Sequence, residues 1–265
     1  MDQLFYNGPP DYVEIEDRAI TTEPGASIQA APGAIWMEAL PAIEGIPAGL
    51  EYLAYLDTVM VHQVKEVLEI LTGWESKNKY AIRNKNGQQC YYAFEESNAW
   101  ERQCCGSQRG FTMHIVDNFN KNVLIVKREL RCCADSFCGC LLGLQNICTI
   151  ESLSTGLLGT VLQGYGCTNS FYNILDKDGN LIFLVDGQGC CTSCCCEDKD
   201  FTIKTPDSSV PIGSITKKWG GLLREAFTDA DTFAVTFPID LDVKLKAILL
   251  GATFLIDFVE FENNN

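Results

Sequence analysis

The sequence predicts a mostly-β domain: a meander of hairpins long enough to close into a barrel, ending in one apolar helix and preceded by a disordered acidic tail. Three observations predict it. From Gly49 onward, short apolar runs rich in β-branched and aromatic residues alternate with Asn, Asp and Gly turns, the signature of hairpins. One later run, Val243 to Phe261, has no turn residue except Gly251 and is far too long for a strand. Residues 1–47 hold six of the nine prolines and eight acidic residues against Arg18 alone, −7 of the total −15. Such a segment cannot bury enough apolar surface to offset the entropy of ordering it.

The tail, 1–47, carries one short motif, Pro9-Pro10-Asp11-Tyr12. Two prolines pre-form a polyproline turn that presents the tyrosine, which is what the aromatic grooves of WW domains take. The domain, 48–265, then unfolds as hairpins in order. Tyr80–Arg83 leads through Asn84-Lys85-Asn86-Gly87 to Cys90–Phe94. Phe111–Ile115 leads through Asp117-Asn118 to Val123–Val126, and Phe171–Leu175 through Asp176–Asn180 to Leu181–Val185. Each of the three is soon followed by a cysteine pair: Cys104-Cys105, Cys132-Cys133 and Cys190-Cys191. A fourth hairpin runs from Phe201 to Trp219 around Pro206–Ser209. A meander this long removes its exposed edges by closing. The run Val243–Phe261 reads as a helix apolar nearly all round, either a membrane span or the buried centre of the barrel.

Composition narrows the function. With a formal charge of −15, a surface suited to cations or basic partners is expected, and no nucleic acid partner. Met1-Asp2-Gln3-Leu4 shows neither the basic nor the apolar region of a secretory signal, so the fourteen cysteines are expected in a reducing compartment. No window supplies the ~20 apolar residues of a conventional spanning helix, and the nearest, Ala247–Phe261, contains Asp257 and Glu260. His62 and His114 sit in apolar strand patterns, and no Ser/His/Asp or Cys/His arrangement or phosphate loop stands out, so a non-enzymatic role is expected.

The blocks Ile215–Phe233, Phe237–Ala247 and Gly251–Phe258 closely resemble the phospholipid scramblase family. Gly49–Leu53, Val61-His62-Gln63, Asn78-Lys79-Tyr80 and Leu130-Arg131-Cys132 match further landmarks in order, so the resemblance covers residues 49 to 262. It implies a tubby-like fold: a closed antiparallel barrel of about twelve strands around a central apolar helix. It also implies calcium-dependent, ATP-independent movement of phospholipids between leaflets, at the cytoplasmic face of the plasma membrane. The rival reading is a tubby-like adaptor that binds lipid headgroups and WW- or SH3-domain partners through its tail, without transport. The family's nuclear-import segment falls on Gly213–Gly221 with Ser214 in place of its first lysine, which leaves a minor nuclear pool as an expectation.

The resemblance places the Ca2+ segment on Asp229–Asp240, with oxygen ligands from Asp229, Asp231 and Asp240 at positions 1, 3 and 12. Hard cations take carboxylates at such spacing, but Ala234 stands where an EF-hand needs its turn glycine and Phe233 offers no side-chain oxygen. Lipidation is expected at Cys132, Cys133, Cys138 and Cys140, and at the denser cluster Cys190, Cys191, Cys194, Cys195 and Cys196. Two or more acyl chains give stable anchoring. Zinc is an alternative through Cys191 and Cys194 with Cys138 and Cys140, as are unmodified thiols.

Overall fold

A computed structural model describes residues 35–64, 78–130, 145–165, 170–187, 197–207, 210–219 and 231–262. Twelve strands form one closed antiparallel barrel in sequence order. They are β1 (Thr58–Gln63), β2 (Lys79–Asn84), β3 (Gln89–Glu96), β4 (Phe111–Val116), β5 (Asn122–Arg128) and β6 (Ile147–Ser152). The circuit continues through β7 (Gly156–Tyr165), β8 (Ser170–Asp176), β9 (Leu181–Gly187), β10 (Lys199–Lys204), β11 (Pro211–Lys218) and β12 (Thr232–Thr236). Closure is made by β1 pairing with β12, from Thr58 opposite Thr236 to His62 opposite Thr232. A short helix, α1 (Glu51–Ala54), precedes β1, and α2 (Ala99–Cys105) follows β3.

Because every strand reverses, connections after even-numbered strands gather at one mouth and those after odd-numbered strands at the other. Three of the tight turns at the first mouth are built on one device. Asn84 Oδ1 accepts from the Asn86 and Gln88 amides, Asp117 Oδ1 from Phe119 and Lys121, and Asp176 Oδ1 from Asp178 and Asn180, all at 2.8–3.0 Å. An Asx side chain thus fixes each reversal, and Gly87 and Gly179, at φ of +80° and +84°, supply the left-handed backbone in two of them. The opposite mouth carries the longer connections.

The C-terminal helix α3 (Val243–Ile256) runs up the barrel axis. Asp242 caps it, its side chain accepting from the Lys244 amide at 2.7 Å. Every residue from Lys246 to Ile256 is buried, so no face is left for water. Six large apolar side chains (Ile248, Leu249, Leu250, Phe254, Leu255, Ile256) at ~1.5–3 kcal/mol each contribute on the order of 10 kcal/mol, comparable to a whole domain's net stability. Strand positions alternating toward the axis meet them, among them Val61, Ile82, Met113, Ile150, Val161 and Ile174. Among the described residues no helix is long and apolar enough to cross a membrane, and this run is the centre of the barrel.

The tight-turn mouth is closed by Lys246. Its ammonium is fully buried and donates to the carbonyls of Leu53, Leu56 and Ile239 at 3.0, 2.8 and 2.8 Å, with the Phe237 ring 5.2 Å away. Two of those carbonyls lie at or just past the end of α1, so one side chain ties that helix, the β12–α3 turn and α3 together. Burial lowers the Lys246 pKa, opposed by Asp240 and Asp57.

The domain starts earlier than residue 48. The Ile35 carbonyl accepts from the Gln89 amide and the Met37 amide donates to the Gln89 carbonyl, at 2.8 and 2.9 Å. Met37, Leu40 and Ile46 pack against the core. Residues 35–47, grouped with the tail by their prolines and acids, therefore belong to the barrel; residues 1–34 lie outside the described ones.

The helix touches the β6–β7 wall so closely that glycines stand at both contacts. A methyl group on Gly251 would run into Ile150, and one on Gly159 into Ile248 and the Leu175 carbonyl. Gly251→Val should lower unfolding stability by about 1–3 kcal/mol through overpacking, read as a lower urea midpoint with unchanged slope. Lys246→Met, of similar length but without donors, should cost about 2–4 kcal/mol, because three buried carbonyls lose their partner.

Candidate functional site at the long-connection mouth

At the far end of the barrel the apolar helix gives way to charge. Past Ile256 the chain widens into a π-helical turn, Asp257–Phe261. Such turns are rare and recur at functional positions, because they rotate side chains out of the α-helical phase. Here the turn delivers Asp257, Glu260 and Glu262 to the strand ends that ring the mouth.

Each carboxylate meets a partner set by a strand. Tyr80 on β2 donates its hydroxyl to Asp257 Oδ2 at 2.6 Å. Tyr172 on β8 donates to Glu260 Oε1 at 2.7 Å. Arg109, fully buried, grips Glu95 on β3 with two parallel bonds of 2.7 and 2.8 Å and reaches Glu262 at 2.9 Å. Its guanidinium lies 4.7 Å over the Phe258 ring, and it also donates to the Gly106 carbonyl. Asn78 donates to the same Glu95 at 2.8 Å. Farther round the rim, Arg128 donates to Asn146, and Asn146 to Gln163, at 2.7 and 2.6 Å, bridging β5, the segment before β6, and β7. Lys217 on β11 pairs with Asp231 at 2.9 Å and sits 4.0 Å over the Phe261 ring.

Protonation follows from this setting. Burial pushes Asp257 up to about 7; the Tyr80 hydrogen bond and Lys217 pull it down, while Asp231 and Glu262 push it up. Burial raises Tyr80 as well, so the pair is held neutral–neutral more readily than in water. Burial alone would lower Arg109, but its hydrogen bond and charge pairing with Glu95, and then with Glu262, outweigh that and raise it. Outside this mouth, Cys90 and Cys148 are buried in strands, which pushes both thiols up to about 12. His62 lies on β1 against Thr232 and burial lowers it to about 4; His114 lies on β4 against Glu96 at 2.8 Å.

The proposed calcium ligands are not brought together. Asp231 stands just before β12 at this mouth, paired with Lys217, whereas Asp240 is exposed in the turn between β12 and α3 at the tight-turn mouth. The whole of β12, five residues and so roughly 16 Å, lies between them. A loop-type site needs its carboxylates on one concave segment, and a strand spanning the barrel wall forbids that. Asp242, beside Asp240, is committed to capping α3. Among the described residues no group of three or more His, Cys, Asp or Glu could hold a metal ion. Asp229 lies outside the described residues.

Outside them too lie Cys132, Cys133, Cys138, Cys140, Cys190, Cys191, Cys194, Cys195 and Cys196, and the motif Pro9, Pro10, Asp11 and Tyr12. The strands that bracket the two clusters are described. β5 ends and β6 begins at the long-connection mouth, as do β9 and β10. The lattice of Glu95, Arg109, Glu262, Tyr80 and Asp257 was not legible in the sequence, because its bonded pairs are 14 to 177 residues apart. On the outer flank of the same mouth a groove of about 580 Å³ runs between α2 and β4–β5, lined by Glu96, Glu101, Phe111, Lys127 and Leu130 among others.

These features define a class: a twelve-stranded barrel with its own C-terminal helix as core, one mouth locked by a lysine and the other filled by a carboxylate–tyrosine–arginine lattice. The family profile described as Scramblase matches residues 37–263, and the chain belongs to that family. It is 43% identical to human phospholipid scramblase 1 over 233 residues, covering 88% of this chain and 72% of the relative. To rat phospholipid scramblase 1 it is 40% identical over 260 residues, 97% of this chain and 74% of that one. To human phospholipid scramblase 4 the identity is 35% over 229 residues, 86% and 68%. No solved structure matches.

The lattice makes a pH prediction. Asp257 titrates near 7 folded and near 3.8 unfolded, so the folded state binds the extra proton between those values. Stability must therefore fall as pH rises from about 4 to about 7 and stay lower above it. Asp257→Asn keeps an acceptor for Tyr80 without the charge. It should raise unfolding stability at pH 8 by about 2–4 kcal/mol, read as a higher melting temperature, and change little at pH 4. An equal effect at both pH values would place the penalty elsewhere.

Proposed function

We propose that this protein moves phospholipids between the leaflets of the plasma membrane without ATP, attached at its cytoplasmic face by acylated cysteines and regulated by calcium. The observation that carries the reading is family membership over nearly the whole domain, with relatives named phospholipid scramblases at about 40% identity. Attachment through thioesters draws support from topology: both cysteine clusters are spliced into connections at one mouth, so acyl chains on either would pull the barrel the same way. The calcium part rests on the family resemblance, and the geometry allows Asp231 a role only without Asp240. Asp231 is already paired with Lys217, which favours weak binding, on the order of 10⁻⁴ to 10⁻³ M.

One observation favours the second reading, an adaptor that docks on lipid headgroups and recruits WW- or SH3-domain proteins. The barrel axis is filled by α3 from Lys246 to Ile256, leaving no passage for a headgroup along it. Transport would have to use the outer surface or perturb the bilayer itself.

Reconstitution in vesicles carrying a headgroup-labelled fluorescent lipid separates the two. Scrambling exposes inner-leaflet label to a membrane-impermeant reductant, without ATP, faster with calcium than with magnesium or chelator. An adaptor binds the same vesicles and leaves the inner label protected. Asp231→Ala should remove the calcium response, whereas Asp240→Ala should leave it intact; loss in both would return the two carboxylates to one site. Serine at all nine cysteines, from Cys132 to Cys196, should release the protein from membranes to cytosol in fractionated cells.

A further inference from the structure

The two mouths differ in what they leave exposed. Among the described residues the two tryptophans exposed to solvent, Trp100 at 74% and Trp219 at 43%, both stand at the long-connection mouth, with Leu130 at 39%. Trp100 lies on α2 and Trp219 directly after β11, each attached to strand ends on that rim. Cys104, a free and exposed thiol, lies four residues after Trp100 and so on the same face of α2. Of the fourteen cysteines, only Cys90 and Cys148 belong to the described strands; the other twelve fall in the connections that join strands at this mouth.

The tight-turn mouth exposes apolar residues of another kind. Tyr55, Phe119, Val210 and Ile239 are 54–71% exposed, and each has an aspartate within three residues: Asp57, Asp117, Asp207 and Asp240. Leu153 and Leu181, exposed on the same rim, have Glu151 and Asp178 as near. At the other mouth the indoles too have acids beside them, and both are engaged: Glu101 accepts from the Gly110 amide at 3.1 Å, and Asp198 pairs with Lys218 at 2.8 Å. Indoles favour the boundary between headgroup and acyl chain, because one end of the ring is apolar and the N–H finds a polar partner.

From this asymmetry we infer that the long-connection mouth is the face that lies on the bilayer, with Trp100 and Trp219 as its interfacial anchors and a phospholipid surface as its occupant. The end of α3 with its Asp257–Glu262 lattice then points at the membrane. Residue 35, the first described, is hydrogen-bonded beside Gln89 at the start of β3, at the opposite end of the barrel. The inference rests on the membrane attachment proposed above and adds an orientation that acylation alone does not fix.

The test uses the full-length, acylated protein on phosphatidylcholine–phosphatidylserine vesicles with brominated acyl chains, which quench indoles at the interface. In a background carrying Trp36→Phe and Trp74→Phe, vesicle-dependent quenching is expected, and it should be lost when Trp100→Phe and Trp219→Phe are added. Adding Phe119→Trp to that variant should not restore it. Restored quenching would put the opposite mouth on the lipid and overturn the inference. So would vesicle-bound protein with unquenched Trp100 and Trp219, which would mean that acyl chains tether a barrel held clear of the surface while the attachment reading stands. A shift of Trp100 emission that tracks protein concentration without vesicles would make a second copy the occupant and overturn the inference as well. Protein that stays in the supernatant at every lipid composition would sink both the orientation and the attachment.

Discussion

A helix that is apolar on every side has to be surrounded, and that requirement organises this protein. Amphipathic helices satisfy water with one face and the core with the other; α3 has no face to spare from Lys246 to Ile256. A flat sheet would cover only half of it. A sheet closed on itself covers all of it and at the same time removes its own edges, so helix and barrel each supply what the other lacks. The tightest contacts, Gly251 on Ile150 and Gly159 on Ile248, show how little slack the enclosure leaves.

The two ends of such a helix cannot be treated alike. At its start the helix has its cap in Asp242, and the lysine one turn in satisfies three carbonyls of α1 and the adjoining turns. That end is locked by neutral acceptors around one cation. At its finish the backbone widens and three carboxylates meet two strand tyrosines and an arginine of the β3–β4 connection, far apart in sequence. Buried ionic networks of this kind add little net stability compared with apolar packing of the same volume, yet breaking one partner is expensive. Their presence at one mouth therefore marks that end as specialised, and it is the end to which the connections bearing twelve cysteines are joined.

Much of the architecture was readable because it rests on local chemistry. The turns at Asn84, Asp117 and Asp176 are set by a side chain bonding its own next few amides, and the helix by an unbroken apolar run. The β6–β7 hairpin was missed: Leu153-Ser154-Thr155-Gly156 lacks an Asn or Asp to start the turn, and glycines at 156, 159 and 164 thin the strand pattern. Residues 35–47 looked like tail because composition does not register a single strand-like pairing with Gln89. The placement of Asp231 and Asp240 was not legible for a related reason. Spacing along a chain implies proximity only within a loop, and Thr232–Thr236 proved to be a strand that carries Asp231 and Asp240 to opposite ends. The Glu95–Arg109–Glu262 lattice had no sequence signal, since only the passage of α3 through the barrel brings the end of the chain to the β3–β4 connection.

Both mouths and the orientation on the bilayer depend on α3 being the core of the barrel, in solution and on the membrane alike. Amide hydrogen exchange of Ala247–Ile256 in the vesicle-bound protein measures this directly. These amides are expected to exchange only through global unfolding, together with those of β6 and β7, and adding or removing vesicles should leave their rates tied to the barrel's. Exchange of the helix independent of the barrel, slowed by lipid while the strands are not, would mean that it leaves the barrel for the bilayer and would contradict its role as the core.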